Sequence, residues 1–269
     1  MSDISSDDLL GPVIQICKQA GRAIEQVRLD GFSTEFKDKA GYDPVTSADH
    51  AADYILSKRL TDLLPGSSYF SEESTQDGQK DNRYCWVVDP LDGTREFVSG
   101  IPEYAVAVLL QEDGQNRLAV THNPAANITI AGTSEGITLG GQPIRVTNTS
   151  ELDGARALAS RTEMKAGEWD NFTDLELVVT GSVAWKCALV AAGKADLTFT
   201  LRPRHVWDVG AGFALVRWAG GCISDKQGDD IAIAPTHAKV RCFLASNGHL
   251  HTALLERLKN VPLGPDRRG

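Results

Sequence analysis

The segment Asp89-Pro90-Leu91-Asp92-Gly93-Thr94 follows directly on the apolar run Trp86-Val87-Val88. Such a run reads as a buried strand, so this strand must end in two carboxylates. Pro90 cannot donate to a sheet ladder and Asp-Gly favours a turn, so the chain bends here and can set Asp89 beside Asp92. Two carboxylates facing one spot repel each other unless a proton or a cation compensates them. Clusters of carboxylate and carbonyl oxygens suit a hard cation such as Mg²⁺. Gly93-Thr94 can open a helix whose free amides favour an anion, most simply phosphate, next to that cation. The competing reading leaves Asp89 at a strand end and Asp92-Gly93 as a plain turn.

Other segments bear on that choice. Ser71-Glu72-Glu73-Ser74 places a second carboxylate pair behind a short Tyr69-Phe70 strand, although alone it reads as an acidic surface loop. Trp207-Asp208 puts an Asp at the mouth of a helix predicted over 209–219 and closed by Gly220-Gly221. That Asp suits a helix cap or, beside an aromatic, a metal ligand. Gly210-Ala211-Gly212 starts like a dinucleotide fingerprint but lacks the third glycine. No Gly-x-Ser-x-Gly, Walker loop or zinc-type spacing offers a rival chemistry. His205 precedes Asp208 closely enough to approach a substrate, whereas His249 and His251 are expected to be ordinary surface histidines opening the last helix.

A chain of 269 residues makes one large or two closely packed domains. Its net charge of −9 argues against a nucleic-acid polymer or an anionic membrane as partner, so an anionic ligand needs a local reversal of the field. No apolar run approaches the roughly 18 residues of a membrane span. An acidic N-terminus unlike a secretory signal, and five cysteines without a Cys-x-x-Cys pair, predict reduced thiols and a cytoplasmic location.

Three-to-four apolar spacing predicts a helix over 7–29 and another over 48–64, with Ser47 as a cap. Strands at 85–88, 104–110, 118–122 and 128–131 form a largely antiparallel meander. From about residue 156 strand and helix alternate: strands at 157–160, 177–180, 197–200 and 242–245, helices after Ser182 and Asp208, and a last helix to Lys259. A polar, non-periodic stretch at 147–151 divides an α+β domain, 1–150, from an α/β domain, 151–269, and 262–269 forms a loose tail.

Together these pieces resemble the inositol monophosphatase superfamily of metal-dependent, lithium-sensitive phosphomonoesterases. Asp89 to Phe97 matches its Asp-Pro-x-Asp-Gly-Thr-x-x-Phe signature. Trp207-Asp208 through Gly220-Gly221 matches the second, with Gly210 where Ala or Cys is usual, and Pro44 to Asp49 and Ser71-Glu72-Glu73 complete the set. The resemblance implies a layered α/β/α/β sandwich and a homodimer in some members. It makes Glu72, Asp89, the Leu91 carbonyl, Asp92 and Asp208 ligands of Mg²⁺, shared among roughly two or three ions. Gly93 and Thr94 contact phosphate, and Asp49 with Thr94, or alternatively Glu72, orients the attacking water. Lys39 lies upstream of the same motif. The first half thus carries most metal ligands, the second Asp208 and the specificity residues.

The wording Asp-Pro-Leu-Asp-Gly-Thr-Arg-Glu-Phe is more similar to 3'(2'),5'-bisphosphate nucleotidases than to inositol monophosphatases. Ala159-Ser160-Arg161-Thr162 resembles their Ser-Arg-Ser-His segment without its His, and the Arg161 fork suits a second phosphate. In Gly181 to Cys187 the nucleotidases often carry a lysine where Trp185 stands here, next to Lys186. Ser182 is a substrate contact or an ordinary cap, and Trp185 is packing or an adenine stack. The reaction expected is Mg²⁺-dependent conversion of adenosine 3',5'-bisphosphate to AMP and phosphate. Hydrolysis of inositol monophosphate is the alternative activity, and an inactive anion-binding or interaction protein is the alternative class.

Overall fold

The structure, a computed structural model, describes residues 5–37, 44–73, 82–235 and 239–265. Lys39, Ser74 and the last four residues of the expected tail lie outside the described residues. Helix α1 (Ser6–Asp30) starts at Ser5, whose hydroxyl accepts the Asp7 amide. It buries the stripe Leu9, Val13, Cys17, Ala20 and Ile24. Two short strands, β1 (Thr34–Phe36) and β2 (Pro44–Thr46), pair antiparallel and lead into α2 (Ser47–Leu63). The cap is Thr46 rather than Ser47: the Thr46 hydroxyl accepts the Ala48 amide, while Asp49 reaches back to the Thr46 amide and closes a capping box.

The first half builds a seven-stranded sheet: β3 (Ser68–Ser71), β4 (Tyr84–Asp92), β5 (Ala105–Glu112), β6 (Gln115–Asn123), β7 (Ile128–Thr133), β8 (Gly136–Leu139) and β9 (Gln142–Ile144), neighbours in that order. All pairs are antiparallel except β3 with β4. The meander therefore extends two strands beyond the expected four at its far edge, where Gly-rich turns dilute the alternation. Helix α3 (Thr94–Val98) leaves the end of β4.

The second half gives β10 (Arg156–Ala159), α4 (Arg161–Lys165), β11 (Glu176–Val179), α5 (Val183–Ala191), β12 (Leu197–Thr200), β13 (Arg204–His205), α6 (Val206–Trp218), β14 (Cys222–Ser224), β15 (Lys239–Val240), β16 (Phe243–Ser246) and α7 (His251–Leu258). Its five-stranded sheet runs β11-β10-β12-β16-β14, with β10 parallel to both neighbours and β16 antiparallel to both of its own. β13 and β15 form a separate ribbon.

Period-two alternation on β4 explains the layering. Trp86 and Val88 pack with α1 and α2, whereas Cys85 and Val87 face α5 and α6. Those two helices also pack against Leu158, Phe243 and Ala245 of the second sheet. The order is helix, sheet, helix, sheet, as in the α/β/α/β sandwich, with Leu254 and Leu258 of α7 against the outer face. Helices α5 and α6 touch closely because position 212 is glycine: a Cβ there would stand 2.5 Å from Cys187 Cβ. The middle core draws on both halves of the chain, from Phe70 to Ala245.

Two expectations change. The helix at Asp208 begins at Val206, so Asp208 is a buried first-turn residue and His205 is the cap. His251 is buried rather than superficial, its ring nitrogens within hydrogen-bond distance of the Ser246 and Ser224 hydroxyls, while His249 is exposed. A short helix with one buried turn hides such a residue from periodicity.

Candidate active site

In a regular strand Asp89 and Asp92 would point to opposite faces. Here β4 pairs Asp89 with Ala107 and Asp92 with Ala105, so two residues, Pro90 and Leu91, oppose one on β5. This bulge, at the one residue without an amide donor, brings both carboxylates to the same side. Asp89 Oδ1 accepts the Leu91 amide at 3.0 Å. Gly93 then turns with φ of 99°, and a Cβ there would lie 2.9 Å from the Glu103 carbonyl oxygen, so only glycine suits the turn into α3.

Glu72, from the end of β3, and Asp208, from the first turn of α6, meet Asp89. Their ligand oxygens lie within 4.8 Å of one another. Burial, then Glu72, Asp92 and Asp208, push the Asp89 carboxyl well above the usual carboxylate range. A cluster that resists ionising is what a divalent cation would relieve, and three hard oxygen donors at this separation fit Mg²⁺. Asp92 stands at the side: its Oδ2 accepts the Ser182 hydroxyl and the Ala184 amide, each at 2.6 Å, tying β4 to the start of α5. Ser182 holds a φ of 58°, rare for a residue with a side chain, and caps α5 by accepting the Trp185 amide.

Asp49 and Thr94 come together as the sequence predicts. Thr94 Oγ1 lies 3.0 Å from Asp49 Oδ1 and 3.1 Å from the Leu91 carbonyl, while Asp49 Oδ2 accepts the Thr46 amide and hydroxyl. Burial raises the Asp49 carboxyl above its ordinary value despite those hydrogen bonds. Lys37, which the sequence reading passed over, donates to Glu72 at 3.1 Å and Glu73 at 2.7 Å. Burial alone would lower its ammonium, but the two carboxylates more than offset that and raise it. A lysine spaced before the Thr46-to-Asp49 turn was the available signal.

Glu72, Asp89, Asp92 and Asp208 give an acidic wall to a cavity of about 130 Å³ that Lys186, Arg202 and Arg204 also line, as a cationic wall. Ser160, Thr162, Gly181 and Ser182 line it too. Lys186 is 1% exposed, and its Nζ makes no hydrogen bond, lying 3.6 Å from Glu163 Oε2. Arg161 does not line the cavity: its guanidinium is held by Glu103 at 2.5 and 3.2 Å. Trp185 packs into the middle core, and the His205 ring stacks on Trp207.

A sequence profile of the inositol monophosphatase family matches residues 6–263, nearly the whole chain that carries these motifs. The chain belongs to the inositol monophosphatase family. It is 32% identical over 262 residues to an inositol-1-monophosphatase of Caulobacter vibrioides, covering 92% of this chain and 99% of that protein. It is 33% identical over 232 residues to the Nus factor SuhB of Salmonella typhimurium, covering 81% of this chain and 86% of that protein. The solved structure of the extragenic suppressor protein SuhB of Bartonella henselae superposes with a TM-score of 0.83 at 26% identity, over 93% of this chain and 98% of that one. Family membership makes this chain a Mg²⁺-dependent phosphomonoesterase, in keeping with the Glu72, Asp89 and Asp208 cluster. The names of these relatives are not those of bisphosphate nucleotidases. Among the described residues, no helix is long and apolar enough to cross a membrane.

Proposed function

We propose that this phosphatase acts as a 3'(2'),5'-bisphosphate nucleotidase, converting adenosine 3',5'-bisphosphate to AMP and phosphate. The observation that carries the reading is the two-walled cavity: carboxylates at one side, and at the other Lys186, a buried ammonium with no hydrogen bond of its own. Glu163 faces both Lys186 and Arg204, so a neutral polyol leaves one positive charge in excess, whereas a second phosphate compensates it. The second-phosphate contact falls to Lys186 and Arg204 rather than Arg161, whose fork is already closed on Glu103.

In this reading Glu72, Asp89, Asp208, the Leu91 carbonyl and Asp92 hold the Mg²⁺ ions. Bound there, Mg²⁺ neutralises phosphoryl oxygens, acidifies a water and stabilises the leaving alkoxide. Thr94 Oγ1 accepts a proton from the attacking water and passes its own to Asp49 Oδ1, whose raised proton affinity suits a base. Gly93 and Thr94 hold the scissile phosphate through their amides, and Ser182 keeps Asp92 aimed at it. Five free cysteines suit the reducing cytoplasm proposed for the protein.

Phosphate release from adenosine 3',5'-bisphosphate, inositol 1-phosphate and fructose 1,6-bisphosphate, each with and without lithium, tests this directly. Fastest turnover of the nucleotide, inhibited by lithium, is expected. A preference for inositol 1-phosphate, the substrate suggested by the Caulobacter relative's name, replaces the reading with the alternative. Absence of any turnover leaves an anion-binding protein.

A further inference from the structure

The cationic wall contains a charge that the metal cluster does not use. Glu163 is fully buried in the first turn of α4, at the position where the similar nucleotidase segment carries His. Its Oε2 accepts the Ser160 amide at 3.0 Å and lies 3.6 Å from Lys186 Nζ, and its Oε1 lies 3.6 Å from Arg204 Nη2. These contacts are ion pairs at arm's length rather than hydrogen bonds. Lys186 Nζ and Arg204 Nε lack hydrogen-bond partners. One carboxylate between two cations leaves the cluster with a net positive charge and unspent donors on the cavity wall.

Burial alone would raise the Glu163 carboxyl, yet Lys186 and Arg204 hold it down at about 2, so it is ionised whenever the enzyme works. Buried polar groups are normally satisfied, and two unsatisfied cationic donors in one cluster, Lys186 Nζ and Arg204 Nε, point to an acceptor that completes them. An anion seated between Lys186 and Arg204 supplies it, and Glu163, one carboxylate at 3.6 Å from both, does not.

We propose that Glu163 is the positioning residue of a second-anion subsite: it fixes the Lys186 ammonium and the Arg204 guanidinium so that they select esters bearing a second phosphate. The inference rests on the reading that this cavity turns over phosphate esters, but not on the nucleoside. Without Glu163 the two cations repel each other and lose the carboxylate that holds them in place, so the subsite weakens rather than strengthens.

The test compares kcat/KM within two matched pairs, adenosine 3',5'-bisphosphate against 3'-AMP and fructose 1,6-bisphosphate against fructose 1-phosphate. For the wild type, preference for the doubly phosphorylated member of at least one pair is expected. Glu163→Gln should cut that preference about tenfold, carried by KM of the bisphosphate rather than by kcat. Should Glu163→Gln fail to fold, Lys186→Met, which leaves Glu163 paired with Arg204, is expected to cut it similarly. Preference confined to the sugar pair sinks the nucleotide reading and keeps the subsite. A strong preference in the wild type that survives in the folded variants sinks the subsite and keeps the nucleotide reading. No preference in either pair overturns the subsite outright.

Discussion

The carboxylate wall of the cavity is assembled from the ends of β3 and β4 and the first turn of α6, so its geometry is fixed by backbone features: a bulge at Pro90, a glycine turn and a helix start. The cationic wall is assembled from side chains in α4, α5 and β13 that meet only by tertiary packing. The first wall is strained by like charge and relieved by a cation. The second keeps a net positive charge around Glu163, which in the proposed reading an anion completes. On that proposal a protein of net charge −9 accepts a multiply charged ester because each wall compensates a different part of it.

The comparison breaks most visibly at Asp89. Asp89→Asn should lower turnover about 10³-fold or more, since it removes a ligand from the cluster at which charge develops. The same change should raise the melting temperature of the chelated protein, because it removes one of several mutually repelling buried carboxylates. Differential scanning fluorimetry in EDTA, alongside a phosphate-release assay, checks both halves.

Thr94→Val tests the proton path: the Asp49 carboxylate keeps its Thr46 contacts but loses the hydroxyl 3.0 Å away. A loss of about 10²-fold in kcat with little change in KM is expected from steady-state kinetics. Gly93→Ala tests the backbone origin of the acidic wall. With φ of 99° and a carbonyl oxygen 2.9 Å from the added Cβ, it should destabilise by about 1–3 kcal/mol in urea unfolding.

The smallest effect separates the walls by pH. Asp89 has a folded value raised above its unfolded one, so in metal-free protein its contribution favours folding at low pH and is lost as pH rises. Glu163 is held down at about 2, so its contribution is complete above about 4.5 and is lost as pH falls from there towards 2. In EDTA, the stability gap between wild type and Asp89→Asn should widen from pH 5 to pH 8. The gap between wild type and Glu163→Gln should stay level over that range. Urea unfolding at a series of pH values reads both.

The two walls also differ in how far the sequence discloses them. Asp89, Asp92 and Thr94 lie within one turn-forming segment, and Glu72, Asp49 and Asp208 each sit where an apolar pattern stops, so punctuation and charge locate them together. Helix α1 and the central meander were legible for the same reason, through period. Lys186 lies inside an apolar helix and Glu163 in a helix of five residues, and neither interrupts a pattern that periodicity can resolve. Arg161 looked free in the sequence because Glu103, its partner, is remote along the chain. His251 seemed superficial because Ser224 and Ser246, which bury it, arrive from other strands.

Anomalous diffraction from crystals soaked in Mn²⁺ as a substitute for Mg²⁺ tests the central claim most directly. Peaks bridging the carboxylates of Glu72, Asp89 and Asp208, absent in Asp89→Asn crystals, are expected. Well-ordered carboxylates with no peak between them, in crystals that bind Mn²⁺ elsewhere, would contradict the account.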